Sequence, residues 1–99
     1  MFKMKQPAIY MMTNKRNGTL YVGVTSNLIQ RVSQHRLKQS TGFATKYSCS
    51  MLVYYELCEN MLSAIAREKQ IKAGGRLKKM KLIEQTNPTW KDLFAELCG

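Results

Sequence analysis

Two short runs of β-forming residues near the amino terminus constrain the fold of this chain more than any other feature. Residues 7–13 (PAIYMMT) and 19–25 (TLYVGVT) are rich in aromatic and β-branched side chains, which favour extended structure. Between them lies the polar segment NKRNG, which ends in an Asn-Gly pair that tolerates the positive φ angles of a tight turn. The sequence therefore predicts a β-hairpin in which Tyr10 faces Tyr21 or lies close to it.

The hairpin is followed by a helix, a polar segment and a third strand. Ser26 or Asn27 is a suitable cap for a helix that we expect to run to about Lys38. Residues 39–46 are polar and predict a loop. Residues 51–57 (MLVYYEL) are almost continuously apolar, which is typical of a strand that is central in its sheet or well covered.

The rest of the chain is predicted to be helical. One helix runs from Met61, capped by Asn60, to about Ala73, and a basic helix follows the Gly-Gly pair and covers residues 76–85. A last short helix is predicted because four apolar residues recur at helical spacing, namely Trp90, Leu93, Phe94 and Leu97. We expect one domain over residues 1–99 with an α/β fold of the α+β type, in which helices flank a three-stranded, largely antiparallel sheet.

The net charge restricts the class of partner. The chain has 16 Lys and Arg against 6 acidic residues, a formal charge of +10. A small domain with this imbalance favours a polyanion such as nucleic acid, although a basic surface can also serve solubility alone. No apolar run approaches the roughly 20 residues of a membrane span, and the first apolar stretch is too short for a secretory signal. We therefore expect a cytoplasmic protein whose cysteines, Cys49, Cys58 and Cys98, are reduced.

Arg31 and His35 are the first polar residues that fit a phosphate site. They lie four residues apart and so share one face of the predicted helix, close to the tyrosines of the hairpin. A guanidinium group offers a planar set of donors that suits a phosphate. Two alternatives remain open: Tyr10 and Tyr21 would also be a stabilising cross-strand pair, and Arg31 would also be part of a solvated basic face.

Glu68 is the unexpected residue of the helix that begins at Met61. It occupies a position in line with Ala64, Ile65 and Ile71, on the stripe that should face the core. A carboxylate there requires a cation. The partner is either a side chain, such as Arg31, Arg67 or a lysine, or a divalent metal ion. A single carboxylate suits Mg²⁺, which keeps several waters and takes phosphate oxygens as further ligands.

At six positions the chain resembles the GIY-YIG nuclease superfamily. AIY at residues 8–10 and YVG at residues 21–23 resemble the two tripeptides that give the family its name, at the family's usual spacing. The other matches are to the catalytic arginine, a His-or-Tyr position, the metal-binding glutamate and a late asparagine. The six positions are Tyr10, Tyr21, Arg31, His35, Glu68 and Asn87. The pattern is most similar to small single-domain bacterial members, which resemble the catalytic domain of the excision-repair incision subunit.

The resemblance implies an activity and assigns roles to residues. It implies a phosphodiester hydrolase, an endonuclease that uses Mg²⁺ or Mn²⁺. The expected substrate is DNA, with RNA left open as the alternative, and DNA repair or recombination is the expected process. Either tyrosine would take the proton of the attacking water, and the resemblance leaves open which. The implied catalytic residues are Tyr10, Tyr21, Arg31, His35 and Asn87, and the implied metal ligand is Glu68.

A run of basic residues on the two later helices is expected to bind the nucleic acid backbone. Its members are Lys69, Lys72, Arg76, Lys78, Lys79 and Lys81. Contacts with phosphate carry no sequence information, so we expect low sequence specificity. One rival interpretation is an accessory nucleic-acid-binding module with a weak or silent nuclease site. A second is a basic interaction protein in which the tyrosines and Glu68 are only core and ion-pair residues.

Overall fold

The computed structural model describes residues 6–36 and 49–98. The predicted loop over residues 39–46 and the predicted end of the first helix at Lys38 lie outside these ranges. The described elements, in chain order, are β1 (Ala8–Thr13), β2 (Leu20–Thr25), α1 (Leu28–Arg36), β3 (Met51–Leu57), α2 (Met61–Ala73), α3 (Arg76–Thr86) and α4 (Phe94–Cys98). They confirm the predicted α+β fold with a three-stranded antiparallel sheet flanked by helices.

The strand order is β2-β1-β3, so the first strand of the chain is the central one. All six residues of β1 are buried, because the strand is paired on both edges and covered on both faces. β3 was predicted to be central or well covered. It lies at the edge of the described sheet but is well covered, with Leu52, Val53 and Tyr54 buried.

The hairpin forms as predicted, but its register differs by two residues. Tyr10 is opposite Gly23, and Tyr21 is opposite Met12, so the two tyrosines lie close to each other on the diagonal rather than directly opposite. The turn supplies its own bonds, including one from the Thr19 amide to Asn14 Oδ1 (3.0 Å). A shift of two residues leaves each side chain on the same face of its strand. Both tyrosines therefore still point to one side of the sheet.

The two faces of the sheet carry separate hydrophobic clusters. Tyr10 and Met12 belong to the cluster covered by α1 and α4, which we call the tyrosine face. Ile9 and Met11 belong to the cluster covered by α2 and α3, which we call the aliphatic face. In the described ranges, no helix is long and apolar enough to cross a membrane.

The helix caps follow the local sequence at the first two helices. Asn27, rather than Ser26, caps α1, since its Oδ1 accepts a hydrogen bond from the Gln30 amide (3.2 Å). Asn60 caps α2 by accepting from the Ser63 amide (2.9 Å), as predicted. The three cysteines are all free thiols.

The last helix is shorter than predicted, because it begins at Phe94 and not near Trp90. Trp90 has a φ of 59°, which a right-handed helix does not allow. The Leu93 amide donates to Leu52 O (2.7 Å), so this part of the chain lies against β3. Asp92 Oδ1 then accepts the Phe94 amide (3.0 Å) at the start of the helix. The apolar residues at helical spacing, which predicted a helix from Trp90, are thus explained partly by packing against the sheet and only partly by α4.

Gly23 is the position where the sheet leaves no room for a side chain. A Cβ atom there would lie 2.5 Å from both Cζ and Oη of Tyr10. The Tyr10 ring therefore lies across the backbone of β2 at Gly23, in space that any other residue would occupy. This contact fixes the ring of a fully buried tyrosine.

We expect Gly23→Ala to lower the free energy of unfolding by about 1–3 kcal/mol, since the new methyl group would overpack against the Tyr10 ring. Gly75→Ala is the matched control, because a Cβ at Gly75 has no neighbouring atom within 4 Å. Its effect should stay below about 1 kcal/mol. Urea unfolding of both variants measures the difference. Equal effects would contradict the close fit.

Candidate active site

Four of the predicted site residues come together on the tyrosine face. Tyr10 lies on β1, Tyr21 on β2, and Arg31 and His35 on α1. The ring centroids of Tyr10 and Tyr21 are 6.2 Å apart, and the His35 ring lies 5.8 Å and 5.3 Å from them. We call this group the tyrosine cluster. The strand alternation and the spacing of four on α1 bring these side chains together, as the sequence predicted.

Tyr10 is the centre of the hydrogen bonds in the cluster. Its hydroxyl lies 3.0 Å from Nε2 of His35, and Arg31 Nε donates to it over 3.4 Å. Burial, which outweighs the lowering effect of the Arg31 hydrogen bond, raises the pKa of Tyr10 to about 12. Tyr10 is fully buried, whereas Tyr21 is only half-buried. The two tyrosines therefore differ in their access to solvent.

Arg31 is fixed by partners on two sides. Besides Tyr10, it donates from Nη1 to Gln34 Oε1 (3.2 Å), a contact that the sequence analysis did not identify. Hydrogen bonding to Tyr10 is the main cause that raises the pKa of Arg31, and Tyr21 contributes in the same direction. The guanidinium group thus stays charged beside both hydroxyl groups. A phosphate would find a positioned cation here.

His35 is buried, and its two ring nitrogens differ in their hydrogen bonding. It is 4% exposed, and its Nδ1 has no hydrogen-bond partner in the described part of the chain. Burial, with a smaller contribution from Arg31, lowers its pKa. The neutral imidazole is therefore favoured, and one of its two nitrogens is bonded to Tyr10.

Glu68 lies on α2, which packs on the aliphatic face rather than the tyrosine face. Its carboxylate forms an ion pair with Lys72 (Nζ to Oε2, 2.9 Å), and its side chain is only 13% exposed. Of the partners that the sequence left open, a lysine is the one observed. The structure thus does not bond Glu68 to the tyrosine cluster.

A cavity of about 550 Å³ is lined by residues of β2 and by basic residues of α2 and α3. It follows β2, the edge strand of the described sheet, where Tyr21 faces one side of the sheet and Val22 the other. Lys72, the partner of Glu68, also contributes to its wall. The carboxylate is therefore one side chain away from a cavity that Tyr21 lines.

The side chains available as metal ligands suit only a divalent ion that needs few ligands from the protein. In the residues that the structure describes, no group of three or more His, Cys, Asp and Glu side chains is placed to hold a metal. Glu68, the metal ligand that the resemblance implies, is a single carboxylate and already pairs with Lys72. This fits Mg²⁺ or Mn²⁺ held largely by water and by substrate phosphate oxygens, with Lys72 displaced from the carboxylate.

Asn87 is placed away from the tyrosine cluster and makes a structural set of bonds. It is 2% exposed, and its amide nitrogen donates to Val53 O (3.1 Å) and Lys91 O (2.8 Å). Its Oδ1 accepts the Lys91 amide (3.1 Å). These bonds fasten the segment after α3 to the sheet. Its direct part in the site stays a prediction.

The basic residues of α2 and α3 divide into two groups. Lys72, Arg76 and Lys79 line the cavity at the β2 edge. The other three are exposed and do not line this cavity, namely Lys69, Lys78 and Lys81.

The space that Gly23 leaves for the Tyr10 ring was not predicted from the sequence, although the glycine of YVG was a visible signal for it.

Known proteins share sequence with most of this chain. Residues 6–81 match the model of the GIY-YIG catalytic domain. A UPF0213 protein of Staphylococcus haemolyticus is 31% identical over 77 residues, covering 78% of this chain and 93% of that protein. A UPF0213 protein of Desulfotalea psychrophila is 30% identical over 82 residues, covering 79% and 72%.

The fold has a solved counterpart. The solution NMR structure of a UPF0213 protein from Bacillus halodurans superposes with a TM-score of 0.53 at 17% identity, covering 88% of this chain and 92% of that one. The match shows a shared fold. The domain match shows the family: this protein belongs to the GIY-YIG family, a family of nucleases.

Proposed function

We propose that this protein is a metal-dependent endonuclease that hydrolyses phosphodiester bonds in DNA. The observation that carries the proposal is the tyrosine cluster, in which two tyrosines and a histidine surround a fixed arginine. Membership of a nuclease family and the formal charge of +10 support it. RNA is the alternative substrate, and roles in DNA repair or recombination and a cytoplasmic location stay predictions.

Tyr21 is the better candidate for the residue that removes a proton from the attacking water. Tyr10 is fully buried and its raised pKa, about 12, keeps its proton in place. Tyr21 is half-buried, lines the cavity, and lies beside Arg31. Tyr21 is therefore the tyrosine of the cluster that solvent and substrate can reach.

The hydrogen bonds around Tyr10 hold its hydroxyl group in place. Arg31 Nε can only donate, so the Tyr10 oxygen accepts there, and the hydroxyl shares a second hydrogen bond with His35 Nε2. Burial favours the neutral form of His35, which agrees with its lowered pKa. We therefore assign Tyr10 and His35 to positioning Arg31 and Tyr21. His35 is too buried to be assigned a phosphate contact.

Arg31 would bind the scissile phosphate and stabilise the charge that develops on it. Glu68 would hold Mg²⁺ or Mn²⁺, which supplies charge stabilisation for the phosphate and the leaving oxygen. Lys72 competes for the same carboxylate, and this pair is the observation that favours the second candidate function, a nucleic-acid-binding module with a weak or silent site.

Replacing Glu68 with glutamine should reduce cleavage more than about 100-fold, because a metal ligand contributes several kcal/mol to the transition state. The assay uses supercoiled, branched and single-stranded DNA, and RNA, with Mg²⁺, Mn²⁺ or EDTA. Glu59→Gln is the matched control, since Glu59 is exposed on the loop before α2. Tight salt-sensitive binding without cleavage by the wild type would favour the binding module.

Tyr21→Phe should lower kcat by about 100-fold or more, the range of general base catalysis, and should change its pH dependence. Tyr10→Phe should lower kcat less and keep the pH profile. Tyr55→Phe is the control, because Tyr55 packs against the same hydrophobic cluster from β3. The opposite ranking of the two cluster variants would make Tyr10 the base.

Stability should depend on pH through His35, the only histidine of the chain. Because its pKa is lowered on folding, the unfolded chain binds more protons. The free energy of unfolding should therefore be constant above the ordinary pKa of 6.5 and fall as the pH decreases below it. Urea midpoints of wild type and His35→Gln test this. An unchanged slope in the variant would assign the effect to another group.

A further inference from the structure

One wall of the cavity along β2 is cationic, and its side chains are held in place. Its polar wall is made by Lys72 at the end of α2 and by Arg76 and Lys79 at the start of α3. Against these three cations the nearest described carboxylate is Glu68, the partner of Lys72. The wall therefore keeps an excess of positive charge, which attracts an anion.

Each of the three cations is held by a bond of its own. Lys72 is paired with Glu68 (2.9 Å), and Lys79 Nζ donates to Gly74 O (2.9 Å). Arg76 Nη2 donates to Asn17 O and Gly18 O, both at 2.7 Å, and so joins α3 to the hairpin turn. Long side chains that are already ordered lose less entropy when they bind a ligand.

The remaining basic residues of these helices lack this arrangement. In residues 6–36 and 49–98, no hydrogen bond or ion pair is described for the side chains of Lys69, Lys78 and Lys81. All three are exposed, as are Lys72 and Arg76, and Lys78 and Lys81 line a second groove of about 420 Å³ together with Lys79. The cations of the β2 cavity differ from these three in that each is held by a bond of its own.

The other side of the cavity is mostly apolar and open to solvent. Leu20, Tyr21 and Val22 supply it together with Thr19, along β2, the edge strand of the described sheet. A volume of about 550 Å³ is that of a small-ligand site and accommodates one nucleotide. Cations on one wall and apolar side chains on the other match a single nucleotide, with its phosphate and its sugar or base.

Tyr21 connects this cavity to the chemistry of the tyrosine cluster. It lines the cavity and its ring lies 6.2 Å from that of Tyr10. We infer that the cavity binds the nucleotide that flanks the cut, its phosphate on Arg76 and Lys79 and its sugar or base against Leu20 and Val22. The position of the cut in this inference rests on the proposed function. The ligand of the cavity is a single, unpaired nucleic-acid strand.

Binding of a short fluorescent oligothymidylate in EDTA, over a range of salt concentrations, tests the inference without cleavage. The variant Arg76→Gln/Lys79→Gln is compared with Lys69→Gln/Lys78→Gln, which has the same net charge. Each lost phosphate contact should reduce the salt slope by about 0.7 for a single strand, so the cavity variant should lose about 1.4. The control should lose less than half of this.

Arg76 also holds the hairpin turn, so Lys79→Gln alone is the second variant, with an expected slope loss of about 0.7. Thermal unfolding checks that each variant is folded. Oligouridylate should be weakened by the same factor as oligothymidylate, since the contacts are to phosphate. In cleavage assays, the cavity variant should raise KM more than it lowers kcat.

The outcomes separate this inference from the proposed function. Equal losses in the cavity and control variants would overturn the cavity site and leave general charge attraction. Cleavage by wild type with an unaffected cavity variant would also overturn it, while the endonuclease stands. The expected binding pattern without any cleavage would support the cavity site and overturn the endonuclease.

Discussion

The close approach of the Tyr10 ring to the backbone of Gly23 is the contact on which the site depends. It requires a central strand that is buried on both faces and an opposing residue without a side chain. Because the ring lies flat across β2, its hydroxyl reaches Arg31 and His35 on α1. One steric fit between two strands thus sets the position of a helix residue that would bind phosphate.

The fold was predictable where a local signal had one physical solution. The Asn-Gly turn, the Asn60 cap and the glycines before α3 each fixed an element boundary within a residue or two. The tyrosine cluster was predictable for the same reason, since a period of two on strands and a spacing of four on a helix define faces. Such faces survive a shift of register by two residues, which is why the tyrosines meet although they are diagonal neighbours rather than directly opposed.

Other features depend on contacts between distant parts of the chain and have no local signal. That β3 takes an edge position and β1 the centre follows from which strands pair, not from how apolar each is. Trp90 leaves the helical pattern because the segment that follows it binds β3. The Glu68–Lys72 pair is local to α2, but the placement of this helix on the aliphatic face rather than the tyrosine face follows from how α2 docks.

The two halves of the site differ in how far apart their residues lie along the chain. The tyrosine cluster comes from one continuous segment, the hairpin and the helix that follows it, so only short loops need to close. Glu68 and the cationic wall reach the edge of β2 only after β3 has paired with β1 across a much longer loop. Contacts within the first half should form early, but the tyrosine face also takes Leu52 of β3 and Leu93 into its core. A chain still emerging from the ribosome would therefore hold neither half of its site complete, and would be inert until its last segment docks.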